Sequence, residues 1–190
     1  STTPLWETIT VNLPGNAGNF LGLGSNTTFN SGVVIGNTLS VGEVFSAAKN
    51  SALGDQALPV NSAGLKIGSY TFLASSVEDI EVDDISIRFN SDFWTNANLK
   101  INGVQFGSTQ NTVASGTTYT FSLSAPLTIP AGQAKNVDVF ADSIATALGV
   151  VSPATTLVGC SGLSVPLSIS INCASTDGQA VTFGSGAEIS

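Results

Sequence analysis

Five of the thirteen acidic residues in this 190-residue chain fall within seven positions, as Glu78, Asp79, Glu81, Asp83 and Asp84. Carboxylates gathered this way are the raw material of a calcium site, because hard cations take several carboxylate and carbonyl oxygens at once. A pair of acids about 5 to 10 Å apart across a cleft is also what glycoside hydrolysis requires. Alternation along a strand, however, would splay these side chains over both faces, and no D-x-D-x-D-G loop is present. A solvated acidic strand that protects a sheet edge is the simpler reading. Nothing in the sequence marks a sugar-cleaving cleft. The chain also has no His, so it cannot build a Ser-His-Asp triad, a Cys-His pair or an imidazole metal site. We therefore expect no catalytic residue and no cofactor, with these five acids as the only metal candidates, for calcium.

Two further groups carry chemistry. Cys160 and Cys173 lie thirteen positions apart in a Ser-rich, uncharged stretch, which reads as a disulfide. Closing a loop of about 14 residues stabilises a fold by about 3 kcal/mol on the chain-entropy model. Two buried thiols are the alternative; a zinc site would lack the two further ligands it needs. Phe93 and Trp94 form an aromatic pair that suits stacking on sugars if the rings are flat and solvent-facing, or a core if they turn inward with Phe72, Phe89 and Phe121. Asn26, in Asn26-Thr27-Thr28, is a glycosylation sequon that matters only on a secreted chain.

The background to these groups is almost neutral. Only 9% of residues are charged and 42% are hydrophobic, and Ser, Thr, Asn and Gly number 25, 20, 15 and 20. Hydroxyls, amides and bare backbone must supply the surface polarity. A net charge of −8 with only five basic residues excludes a nucleic-acid partner, since phosphate binding needs clustered Lys and Arg. No run of 18 apolar residues exists, so no membrane span is expected. The absence of Met, even at position 1, fits removal of a secretory signal peptide and equally a trimmed chain.

The elements that must position these residues are strands. Leu5, Glu7, Ile9 and Val11 share one face of a first alternating run, stopped by Pro14-Gly15. A Gly- and Asn-rich excursion covers 12–30, and short strands are expected at 33–35 and 38–45. The stretch 43–58 (EVFSAAKNSALGDQAL) alone has helical composition and predicts at most a short helix. Residues 65–74 alternate with a phase change at Gly68-Ser69, and 80–89 switch from even to odd apolar positions at Asp83-Asp84, so each predicts a bulge. Asn102-Gly103 between alternating arms predicts a type I′ hairpin. Further strands are expected at 117–123, 134–141, 165–171 and 179–183, with Phe93-Trp94 between strands. Ten or eleven short strands make an antiparallel sandwich the economical architecture.

The order Gly68-Ser69-Tyr70-Thr71-Phe72-Leu73-Ala74-Ser75, Glu78-Asp79-Ile80, Leu99-Lys100-Ile101-Asn102-Gly103, Tyr119-Thr120-Phe121, Leu127-Thr128-Ile129-Pro130-Ala131-Gly132 and Val137-Asp138-Val139 resembles a familiar module. It is similar to the Ig-like β-sandwich repeats of secreted bacterial surface proteins, notably those of uncultured ultra-small lineages. The likeness covers about residues 55–185. It implies an all-β, Ig-like antiparallel β-sandwich with Greek-key connections, acting as a structural or adhesive unit of a cell surface.

From residues and resemblance together, the expected organisation is an N-terminal strand arm over 1–13 and one sandwich domain over 14–190. The expected function is a non-enzymatic subunit of an extracellular filament or pilus-like fibre. Leu5, Trp6, Ile9 and Val11 of the arm would form the subunit interface by strand addition to a neighbouring copy. The alternative is a carbohydrate-binding or adhesive module that uses Phe93 and Trp94. Few surface charges favour the first, because such a monomer is poorly protected against association.

Overall fold

A computed structural model describes residues 44–184, together with the backbone of four two-residue strands at 8–9, 12–13, 34–35 and 39–40. The chain divides into two compact units, Ser1–Glu43 and Val44–Ser190. In the first, β1 (Thr8–Ile9) pairs antiparallel with β4 (Leu39–Ser40), and β2 (Asn12–Leu13) with β3 (Val34–Ile35). Ile9 sits opposite Leu39. Leu5, Trp6, Val11 and Asn26 lie outside the described residues.

The second unit is all β, and no helix occurs among the described residues. One five-stranded sheet runs β10 (Val104–Thr112), β9 (Trp94–Ile101), β12 (Ala134–Ser143), β7 (Leu65–Ala74), β5 (Phe45–Lys49). The other runs β11 (Thr118–Ile129), β8 (Asp79–Phe89), β14 (Thr155–Val165), β15 (Ser170–Asn172), with β16 (Thr176–Asp177) also on β14. A small third sheet joins β13 (Gly149–Val151) to β17 (Val181–Phe183) and β17, in parallel, to β6 (Gln56–Leu58). The chain crosses between the large sheets so that β11 returns beside β8 and β12 beside β9, a Greek-key path in an antiparallel sandwich.

Both expected bulges are present. Residue Ile67 has no partner where Val139 pairs with Gly68 and Phe140 with Lys66. Asp83 is skipped on both sides of β8, since Asp84 and Val82 take consecutive partners Ser161 and Gly162 on β14. The extra residue resets the side-chain period, so Ile80 and Val82 before it and Ile85, Ile87 and Phe89 after it all point inward. It also brings the β8 backbone so near β14 that a Cβ on Gly162 would collide with the Glu81 carbonyl. At the hairpin, Ile101 pairs with Val104 across Asn102 (φ 50°) and Gly103 (φ 80°), the two positive φ values that a type I′ turn needs.

Three expectations give way. Of the stretch 43–58, the described residues 44–58 form β5, a turn and β6 and no short helix, because Phe45 alternates inward and stacks edge-on against Phe72 at 5.4 Å; this packing outweighs the helix propensity of the alanines. The expected strand 165–171 straddles a turn, with β14 ending at Val165 and β15 starting at Ser170. Residues 155–165 form the central strand instead. Trp94 begins β9 and does not lie between strands.

Candidate functional site

The pairing registers give the sandwich two distinct ends. Asn102-Gly103 and the turns β7–β8, β11–β12 and β14–β15 lie at one, which we call the turn end, since Ile101 sits opposite Val137, Leu73 opposite Ala134, and Val165 opposite Asp79. At the other, the small sheet lies over the aromatic residues that open β9.

Trp94 is fully buried and Phe93 half-buried; Phe183 meets them with ring centroids at 5.2 and 5.7 Å. This corrects the expected sugar platform: β9 turns the Trp94 indole into the core, where it offers solvent no face. Phe93 still lines a shallow open cleft of about 360 Å³ with Asn90, Asp92, Ser115, Val150 and Pro153. Asn90 fixes one wall, its amide donating to Pro153 O and Thr156 Oγ1, both at 3.1 Å. Asp92 is exposed.

The five acids are spread by the strand that carries them. Glu78 is buried, with Oε2 lacking a protein partner. Asp79 accepts the Ala131 N–H at 2.8 Å, and Asp84 accepts the Ser161 hydroxyl at 3.0 Å. Glu81 is half-buried, and Asp83 is exposed at the bulge. No group of three or more Asp, Glu, Cys or His side chains gathers to hold a metal among the described residues.

Cys160 and Cys173 are joined in a disulfide, with Cα atoms 5.0 Å apart. The bond ties central β14 to the segment between β15 and β16, so the two short strands on that edge are held by a covalent link as well as by their few ladder bonds.

A polar seam was not visible in the sequence. Gln179 is fully buried; its Oε1 accepts the Ser69 N–H at 2.9 Å and its amide donates to Asn50 O and Leu53 O at 2.9 and 3.0 Å. Beside it the Tyr70 hydroxyl and Thr155 Oγ1 are 2.9 Å apart. Burial pushes the Tyr70 phenol up to about 12. Near the seam's rim, the Ala180 N–H and then Lys49 hold the exposed Asp55 carboxyl below its usual range.

The exposed large aliphatic residues fall unevenly. Ten occur among the described residues. Seven lie at the turn end: Leu73 and Val104 on one large sheet, Val77 in the β7–β8 turn, and Leu163, Val165, Leu167 and Ile169 about the β14–β15 turn. Val77 and Leu167 are 78% and 66% exposed. Leu148 and Val150 lie at the opposite end.

No protein-family model and no curated protein matches the chain.

Proposed function

We propose that the protein is a secreted, non-enzymatic structural subunit of an extracellular filament, polymerised by exchange of its N-terminal strand between copies. The observation that carries this reading is the antiparallel ladder of the first unit, in which Thr8, Ile9, Asn12 and Leu13 face Ser40, Leu39, Ile35 and Val34. Twenty residues separate Leu13 from Val34, enough chain for the arm to make the same register with residues 34–40 of a neighbour. Exchange of an identical element between copies costs little, because every contact is one the single chain already makes. The surface chemistry supports it through its few charges, the disulfide suits an oxidising exterior, and the likeness to Ig-like surface modules points the same way. A chain without His can serve a scaffold that moves no proton.

Deletion of residues 1–13 is the test. The expected result is a folded protein that no longer polymerises; long fibres in electron micrographs of that variant would sink the reading. A second reading, an adhesive module for glycans, draws on the cleft beside Phe93 and Asp92. It predicts glycan-array binding by the parent that disappears in Asp92→Ala.

A further inference from the structure

We propose that the Cys160–Cys173 disulfide is a redox latch: reducing it frees residues 166–178 from the edge of β14 while the rest of the sandwich stays folded. The proposal does not depend on the filament reading, since every residue it uses belongs to the second unit.

The two sides of β14 are held very differently. Towards β8 it pairs along its whole length, from Thr155 opposite Phe89 to Val165 opposite Asp79. On its other side it meets β15 through Ser161, Gly162 and Leu163, and β16 through Thr156 and Leu157. Residues 158–160 have no strand partner there among the described residues, and it is from this gap that Cys160 bonds Cys173. The covering segment is thin. Residues 166–170 are all exposed, and Ile171, at 3% exposure, is the side chain that pins the segment inward. Beyond the short ladders, Thr156 Oγ1 donates to Asp177 Oδ1 at 3.0 Å. A segment with so few buried contacts belongs to the low end of local stability.

Both ends of the segment, by contrast, are fixed. Ser164 is fully buried before it; after it the Gly178 N–H donates to Thr155 O at 2.9 Å and Gln179 is fully buried. Opening therefore has boundaries, and within them the disulfide removes much of the chain entropy that opening would gain. The bond is open to attack on one side, since Cys160 is only 7% exposed but Cys173 is half-buried. A thiolate of a small dithiol attacks Cys173 Sγ, the S–S bond breaks, and its electron pair leaves on Cys160 Sγ, which takes up a proton. The reagent's second thiol then displaces Cys173 and closes into a cyclic disulfide. Two cysteine thiols form and one dithiol is oxidised. Without its cover, β14 is an unpaired strand edge, the feature to which other strands add.

The test is hydrogen exchange of the full chain, read by mass spectrometry before and after treatment with dithiothreitol under native conditions. Both cysteines are expected to become open to alkylation, and exchange across 166–178 to speed up about tenfold or more. Exchange across 94–101 and 134–143, in the facing sheet, should stay unchanged, and re-oxidation should restore the slow rate across 166–178. An unchanged rate there once the bond is broken means that the ladders alone hold the segment, and overturns the latch. Equal acceleration throughout the chain also overturns it, because the bond would then support the whole fold. So does a bond that dithiothreitol reduces only after the protein has been unfolded in urea.

Discussion

The two ends of the sandwich solve the same problem in different ways. Where β9 begins, the aromatic rings of Phe93 and Trp94 are met by Phe183 of the small sheet of β13, β17 and β6. Where the turns cluster, aliphatic residues of moderate size stay in water. Hydrophobicity alone does not separate the two groups, since Leu167 and Val77 are as apolar as residues in the core. What differs is cover: one end has a third sheet laid across it and, among the described residues, the other has none. An uncovered end costs the single copy little, because a few exposed aliphatics are normal on folded proteins. It becomes significant only where they adjoin.

The comparison is sharpened most by Trp94→Ala. Loss of a fully buried indole is expected to cost about 3 to 5 kcal/mol in urea unfolding. Trp94→Phe should cost much less, because the buried Nε1 has no protein partner to lose. A cost below about 1 kcal/mol for the alanine variant would mean that the cover over this end is loose.

Between the ends lies Tyr70, whose phenol is raised from 10 to about 12. Its sign is that of an acid kept neutral by burial: the associated stability is fully present below pH 10 and is lost as pH rises towards 12, because the unfolded chain ionises first. Two units correspond to about 2 to 3 kcal/mol. Chemical denaturation at pH 9 and pH 12 should show this loss in the parent and a smaller one in Tyr70→Phe. Equal losses would place the alkaline sensitivity elsewhere.

The smallest effect belongs to the turn end. Leu167→Ser should change the unfolding free energy of the monomer by no more than about 0.5 kcal/mol, as surface substitutions usually do. A loss of 2 kcal/mol or more would show that Leu167 is covered within the single chain and would erase the contrast between the ends.

Legibility in the sequence followed from how local each signal is. The bulges at Ile67-Gly68 and Asp83 could be read because a bulge shifts the phase of alternation within one strand. The Asn102-Gly103 turn was legible because two adjacent residues with positive φ leave a two-letter mark. Central β14 went unnoticed, since Gly159, Ser161 and Gly162 interrupt its apolar pattern, and Gly162 is there because of a bulge on another strand. Nothing local distinguishes Trp94 in the core from Trp94 on a platform, because the sheet that covers it comes from residues 56–58, 149–151 and 181–183. Gln179 escaped for the same reason: its partners lie 110 to 129 positions away. The disulfide was legible from spacing and surroundings. The ends, by contrast, exist only once the strands are in register.

The buried amide of Gln179 has a temporal meaning. It clasps the turn after β5 to β7, and four residues later β17 closes over the start of β9. A belt fastened by its last hole cannot be tightened early. Until position 183 is joined to the fold, the strands earlier in the chain lack both their clasp and their lid.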